Sequence, residues 1–200
     1  MKPEEDLRKI LLSVEKPGRY VGGEYGSVVR QEESIYLKVA LSYPDIYEIG
    51  MSNLAVRIIY GILNSHPGIL CERVFAPAHD FEAALRSQAI PLYSLESGRP
   101  LHDFDLVAFS VGYELTATNI LSILDLGGIP LEKHQRQDSH PVVIGGGPAL
   151  TNPVPFSSFF DFIHIGEGES LFTEVFPVLA QMKKKGAGRQ DLMGDRKSVV

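Results

Sequence analysis

The sequence has no tryptophan, a single cysteine and no long apolar run. Because Cys71 is the one cysteine, no disulfide can form within the chain. No apolar stretch approaches the ~20 residues that a membrane-spanning helix needs, and the polar, acidic N-terminus does not resemble a secretory signal. These absences predict a soluble, cytoplasmic protein with no membrane partner.

Basic residues are outnumbered, with 19 lysines and arginines against 25 aspartates and glutamates and a formal net charge of −6. Nucleic acids and anionic membranes both favour a basic surface, so direct nucleic-acid binding is not expected. The 200 residues suffice for one domain with a full hydrophobic core.

From residue 35 onward, strand-like and helix-like segments alternate five times. Strands are predicted at residues 35–43, 69–76, 104–111, 141–145 and 161–166, with a short extra strand at 90–95. Helices are predicted at residues 51–66, 79–88, 116–128 and 169–185, the last interrupted near Pro177. This alternation predicts a mostly parallel five-stranded sheet in a doubly wound, three-layer α/β fold.

The sequence predicts three regions along the chain. Residues 1–34 combine an amphipathic helix at 3–14 with a glycine-rich segment. Residues 35–186 form the doubly wound domain. Residues 187–200 are predicted to be a disordered or non-native tail.

Candidate binding residues follow the carboxyl ends of the predicted strands, where ligands bind in doubly wound folds. They are Asp45, Tyr47 and Gly50 after the first strand; Ser110, Gly112 and Tyr113 after the third; Gly145, Gly146, Gly147 and Pro148 after the fourth; and Glu167, Gly168 and Glu169 after the fifth. Glycine lets a ligand approach the backbone closely. Two alternatives remain open, since tight turns also need glycine and Glu169 can serve to cap the last helix.

The absence of two phosphate-binding motifs limits the classes of ligand that this chain is expected to bind. The chain has no Gly-x-x-x-x-Gly-Lys-Ser/Thr loop and no Gly-x-Gly-x-x-Gly after the first strand, which excludes the usual phosphate and dinucleotide sites. Glu167 and Glu169 repel phosphate, so the pattern favours a large, mostly neutral ligand rich in amides. The six histidines lack metal-ligand spacing, and His164 is predicted to be a packed core residue. Neither a catalytic residue nor a metal site is predicted.

The order of the candidate residues resembles the fingerprint of cobalamin-binding domains, Asp-x-His-x-x-Gly, then Ser-x-Leu, then Gly-Gly. In those domains the histidine ligates cobalt, and the serine and glycines line the channel for the nucleotide tail. Here Tyr47 replaces the histidine and Gly112 replaces the leucine. The resemblance therefore implies cobalamin as cofactor, without a protein imidazole below the cobalt.

A wider resemblance joins "FDLVAFSV", "PVVIGGGPALTNP" and "DFIHIGEGES". In this order they look like the N-terminal cobalamin-binding-type domain of radical S-adenosylmethionine (radical SAM) enzymes, with a likeness that extends over residues 10–185. It implies a flavodoxin-like or cobalamin-binding-like fold for residues 35–186. It also implies a catalytic barrel as partner in the full-length protein, carrying a [4Fe–4S] cluster and S-adenosylmethionine.

The cluster itself requires Cys-x-x-x-Cys-x-x-Cys, which this sequence lacks. Catalysis is therefore expected from a domain absent from this chain, and the ending "GDRKSVV" does not resemble the family's continuation. Two other functions stay open: a non-binding module that caps the barrel or recruits a partner, and a flavodoxin-like flavin or nucleotide binder.

Overall fold

The computed structural model describes residues 4–194 and contains all five strands predicted in the doubly wound region. The strands are β1 (Leu37–Tyr43), β2 (Ile69–Phe75), β3 (Leu106–Ser110), β4 (Val142–Gly146) and β5 (Phe162–His164). They form one parallel sheet in the order β2-β1-β3-β4-β5. This is the flavodoxin-like order, with its switch point between β1 and β3, and it confirms the predicted fold.

The helices are α1 (Glu4–Ser13), α2 (Tyr47–Ser52), α3 (Leu54–Ser65), α4 (His79–Gln88), α5 (Ala117–Leu126), α6 (Gly168–Ser170), α7 (Phe176–Lys184) and α8 (Arg189–Met193). The single helix predicted at residues 51–66 is instead two, α2 and α3. The side chain of Asn53 separates them because it accepts a hydrogen bond from the Val56 N–H and so caps α3. A π-turn, Leu171–Val175, joins α6 to α7.

Alternate strand residues divide the core into two apolar layers. On one face Ala40, Val107 and Val143 pack with the helices α1, α4 and α5. On the other face Leu41 and Ala108 pack with α3, α7 and α8. Each buried strand is covered on both sides, which explains its continuous apolar sequence. Among the described residues no helix is both long and apolar enough to cross a membrane.

The short strand predicted at residues 90–95 is a single antiparallel bridge, Tyr93 with Pro100. The segment lies along the outer edge of β2, where the Leu95 N–H donates to the Arg73 carbonyl at 2.9 Å. Arg73 also pairs with Glu96 at 2.7 Å. The segment thus covers an edge strand rather than extending the sheet.

Residues 187–194 are packed against the domain, whereas the sequence predicts a disordered or non-native tail from residue 187. Arg189 and Leu192 of α8 are both buried. The Arg189 guanidinium donates to Asp161 Oδ1 and to the Pro141 carbonyl, each at 2.7 Å, and thereby holds α8 on the sheet. Residues 195–200 of the predicted tail, like residues 1–3, lie outside the described residues.

Candidate functional site

A cleft of about 570 Å³ opens at the carboxyl ends of β3, β4 and β5. It lies on the α3 side of the sheet, between α3 and the helix that runs from α6 through the π-turn into α7. We call this space the rim cleft; its lining includes Leu41, Ala55, Ile58, Ile59, Ile62, Ala108, Ser110, Ile144, residues 145–148, residues 164–169, Leu171, Phe172 and Phe176. It lies beyond the carboxyl ends of the strands, the edge at which doubly wound folds bind ligands, and is next to the switch point between β1 and β3.

The floor of the rim cleft consists of two rows of strand residues. In the outer row, Ser110 pairs with Gly146, and Gly146 pairs with His164. In the inner row, Ala108 pairs with Ile144. Because side chains alternate along a strand, both rows face the cleft. The outer row therefore presents two polar side chains with a gap between them, and the inner row is apolar.

The two glycines at the end of β4 have different environments. A Cβ added at Gly146 would meet nothing closer than the His164 carbonyl oxygen at 3.8 Å, so its open side belongs to the cleft. A Cβ at Gly145 would lie 2.6 Å from Leu150 Cδ1 and 2.8 Å from Phe160 Cε1 in the opposite layer. Gly145 thus serves packing, and Gly146 leaves room for a ligand.

Gly147 is required by the backbone itself. Its φ of +115° lies in the region that favours glycine, and a Cβ there would lie 2.5 Å from the Val111 carbonyl oxygen. The Val111 N–H donates to the Gly146 carbonyl at 2.8 Å, which holds this turn against the end of β3. Gly147 shapes the cleft by fixing the turn.

His164 lines the cleft and is half-buried, although the sequence predicts a packed core histidine. Its Nε2 lies 2.9 Å from the main-chain oxygen of Glu167. Gly166, at φ +131°, allows the chain to turn back so that this oxygen faces the imidazole. The alternation of side chains along β5 indicates this direction, since His164 and the cleft-side residue Phe162 are two positions apart and face the same side of the sheet.

The side walls of the cleft are apolar. Ile58, Ile59 and Ile62 recur at helical spacing along α3 and form one wall. Leu171 and Phe172 in the π-turn form part of the other. The sequence predicts a kink near Pro177, and the π-turn ends just before it, because proline cannot donate a main-chain hydrogen bond.

The charge in the cleft is negative. Glu167 and Glu169 line its mouth, and no lysine or arginine contributes to its lining. Within residues 4–194, the Ser110 hydroxyl makes no hydrogen bond to the protein. The lining therefore offers an unused hydroxyl and an imidazole to a ligand, and its carboxylates disfavour phosphate.

Five of the predicted site residues lie outside the rim cleft. Tyr47 packs its ring edge-on against Phe75, with ring centroids 5.9 Å apart. Gly50 is needed for packing, since a Cβ there would lie 2.2 Å from the Phe75 ring. Burial, followed by the charge of Glu24, raises the pKa of Tyr47. Tyr47 is therefore directed toward the β2 edge of the molecule.

The other three, Asp45, Gly112 and Tyr113, follow β1 and β3 and lie above the switch point between these strands. The Tyr113 hydroxyl donates a hydrogen bond to Asp45 Oδ2, and this bond raises the pKa of Tyr113. Gly112 accommodates Tyr43, whose hydroxyl would lie 2.8 Å from an added Cβ. The predicted residues thus separate into this group and the group lining the cleft, from Ser110 through Gly145–Pro148 to Glu167–Glu169.

Among the described residues, no group of three or more His, Cys, Asp or Glu side chains is arranged to hold a metal ion. Cys71 lies fully buried in β2, and burial raises the pKa of its thiol well above the usual range. The described residues therefore include neither a cluster of side chains that could bind a metal ion nor a reactive thiol.

Comparison with known proteins identifies the family. A search of curated proteins gave no match. A family model described as "Radical SAM proteins, N-terminal" matches residues 55–199. The match includes both walls of the rim cleft and also residues 187–199, which lie in the predicted tail. The chain belongs to the N-terminal domain family of radical SAM proteins.

Proposed function

We propose that the rim cleft binds a cofactor, with cobalamin as the first candidate, on behalf of a radical SAM catalytic domain. The observation that carries the proposal is the open side of Gly146, which faces the cleft without any contact below 3.8 Å. Ser110 and Gly146 occupy the positions that resemble the serine and glycine of cobalamin-binding domains. In this structure the two pair in adjacent strands and line the same space.

The residues present fit one part of cobalamin better than another. The apolar walls and the outer row, Ser110 to His164, suit the base of the nucleotide tail, and Gly147 and Pro148 would lie beside it. The phosphodiester of the tail would remain outside the acidic lining. Tyr47 does not line the cleft, so this position is not expected to ligate cobalt. When bound, cobalamin would supply methyl-transfer or radical chemistry.

Catalysis in this proposal comes from a radical SAM domain of the full-length protein, which would hold the [4Fe–4S] cluster and S-adenosylmethionine. Exposed apolar side chains in the lining of the cleft support such a partner, because Ile58 and Ile165 are 44% and 57% exposed. The net charge of −6 disfavours nucleic acids and anionic membranes as partners of this chain, and we place the full-length protein in the cytoplasm as part of the proposal.

The test is a titration of the purified chain with hydroxocobalamin, followed by visible absorbance and calorimetry. Saturable binding with one site, abolished in Gly146→Val and retained in Gly61→Ala, is the expected result. Gly61 suits the control because it is exposed on α3 and does not line the cleft. Absence of binding by the folded wild-type chain would refute the cobalamin proposal.

A second candidate is the non-binding module, in which the apolar rim only docks the catalytic domain. The same exposed side chains favour it, and it predicts that Gly146→Val leaves assembly unchanged. A flavin site is disfavoured because no lysine or arginine lines the cleft to receive a flavin phosphate. A parallel titration with flavin mononucleotide tests that option directly.

A further inference from the structure

We propose that the rim cleft recognises a flat, amino-bearing heteroaromatic ring of the adenine type, which lies over Gly146 between Ser110 and His164. The inference deepens the proposed function, and rests on it where the ring is the lower base of a corrinoid. It concerns a different property, namely the hydrogen-bonding pattern that the cleft selects.

A space lies between the side chains of Ser110 and His164 in the outer row. Ser110, Gly146 and His164 pair across three adjacent strands. Neighbouring strands are about 4.8 Å apart, so the outer two residues are separated by roughly 9–10 Å along the row. With no side chain at Gly146, this gap has a flat floor of bare backbone, on which a ring can lie.

The protonation of the His164 imidazole follows from its hydrogen bond to Glu167. The Glu167 main-chain oxygen, 2.9 Å from Nε2, can only accept a hydrogen bond. Nε2 must therefore carry the hydrogen and donate it. In the neutral imidazole this leaves Nδ1 unprotonated, with a lone pair that accepts from an N–H or O–H group. The turn at Gly166 thus fixes His164 as an acceptor.

Ser110 borders the opposite side of the gap from His164. The Ser110 hydroxyl makes no hydrogen bond within the part of the chain that the structure describes, and a hydroxyl both donates and accepts. Together, Ser110 and His164 match a ring that carries an amino donor at one edge and a ring-nitrogen acceptor at another. An adenine ring has both groups.

The walls and charges limit what surrounds the ring. Ile58 on α3 and Phe172 on the opposite wall are apolar and line the cleft on two sides. Glu167 and Glu169 favour amino groups and disfavour phosphate. The ring is therefore expected to enter as a base or nucleoside, with any phosphate left outside.

Two sources can supply such a ring: the lower base of a corrinoid, or a free nucleoside. The dimethylbenzimidazole base of ordinary cobalamin has no N–H or O–H on its ring system to donate to His164. A corrinoid with adenine as lower base has an exocyclic amine. If the corrinoid is the source, the cleft should prefer the adenine form over hydroxocobalamin.

The experiment compares three probes by calorimetry: hydroxocobalamin, the corresponding corrinoid with an adenine lower base, and adenosine. Each is titrated into the wild-type chain and into the variants His164→Leu, His164→Gln and Ser110→Ala. One hydrogen bond corresponds to about a tenfold change in affinity, so the adenine corrinoid should bind wild-type about tenfold more tightly than hydroxocobalamin. His164→Leu should abolish that preference, whereas Ser110→Ala should weaken the binding of both corrinoids, because each base has a ring nitrogen that can accept from the hydroxyl.

Thermal unfolding of each variant separates lost recognition from lost folding, and His164→Gln keeps a side-chain acceptor as a matched control. Equal binding of both corrinoids, unchanged in His164→Leu, would overturn the inference and leave the proposed function standing. If only adenosine binds, in a His164-dependent way, the ring site stands and the cobalamin proposal fails. Failure of all three probes to bind the folded chain overturns both.

Discussion

Gly145 and Gly146 are consecutive residues of β4, but their open sides face opposite faces of the sheet. A methyl group on Gly145 would enter the packed layer beside Leu150 and Phe160, whereas a methyl group on Gly146 would enter the rim cleft. One glycine therefore serves packing and the other leaves the cleft open, a difference that unfolding and ligand-binding measurements can separate.

The first prediction compares valine at these two positions. Gly145→Val should destabilise the domain by about 1–3 kcal/mol, because the added atoms overpack the core. Gly146→Val should keep the free energy of unfolding within about 0.5 kcal/mol of wild-type, since surface-like sites tolerate substitution and β-branched residues suit strands. Urea unfolding measures both values. Binding of hydroxocobalamin by a folded Gly146→Val protein would show that this space is not the ligand site.

The second prediction concerns Gly61 in the middle of α3. This glycine is exposed, and nothing lies within 4 Å of the Cβ it would gain as alanine. Gly61→Ala should therefore stabilise the protein by about 0.5–1 kcal/mol, because alanine loses less backbone entropy in a helix. Urea unfolding provides the measurement. A destabilised variant would indicate that α3 requires glycine at this position for a reason outside its visible contacts.

The fold was largely accessible from sequence because parallel strands covered on both faces are continuous apolar runs that end in glycine or polar residues. β3 and β4 are such runs, and their order follows from the topology. Interactions between residues far apart in the chain were harder to predict from the sequence. Arg189 reaches back to Asp161 across 28 positions, and no local pattern around residue 189 indicates that contact.

The candidate site was accessible only in part for a similar reason. Topology places Tyr47 and Ser110 at the same edge of the sheet, but it does not say where each side chain points. Ser110 occupies a strand position, so strand parity decides its direction. Tyr47 begins the short helix α2, and its direction follows from Phe75 and the space above Gly50. The sequence does not identify His164 as a cleft residue, because strand parity gives its direction only once the register to Gly146 is known.

The third prediction uses Cys71 as a reporter of unfolding. The thiol is fully buried, and burial raises its pKa, so the reactive thiolate is scarce in the folded state. A chromogenic disulfide reagent should not react with the native protein over the time in which it titrates one thiol per chain in urea. Rapid reaction without denaturant would mean that β2 opens locally from the sheet.

The fourth prediction concerns pH and the contact between α1 and α4. The Asp80 carboxylate accepts hydrogen bonds from the Glu15 and Phe81 N–H groups, each at 2.8 Å, and the bond from Glu15 is the main cause that lowers its pKa. A lowered pKa means that the stabilisation is present above the ordinary aspartate value of about 3.9 and is lost as the pH falls through the folded-state value.

Asp80→Ala should therefore be less stable than wild-type near neutral pH, and the difference should shrink below about pH 4. Unfolding free energies across this range give the measurement. Glu33→Ala serves as the control, because Glu33 is exposed and forms no ion pair among residues 4–194. A difference between Asp80→Ala and wild-type that stays constant with pH would mean that packing, rather than the charge, stabilises this contact.

The fifth prediction tests whether α8, Arg189–Met193, belongs to the folded domain. Asp161 lies between two buried arginines, with Arg136 at 3.1 Å and Arg189 at 2.7 Å, and its side chain is 1% exposed. Arg189→Ala removes one of these partners and frees the Pro141 carbonyl, so it should destabilise the protein by about 2–4 kcal/mol. Gln190→Ala, at the exposed neighbouring position, should change stability by less than about 0.5 kcal/mol. Urea unfolding of both variants gives the comparison. Equal stability of the two variants would mean that Arg189 does not hold Asp161 in solution. The folded domain would then end near residue 186, as the sequence predicts.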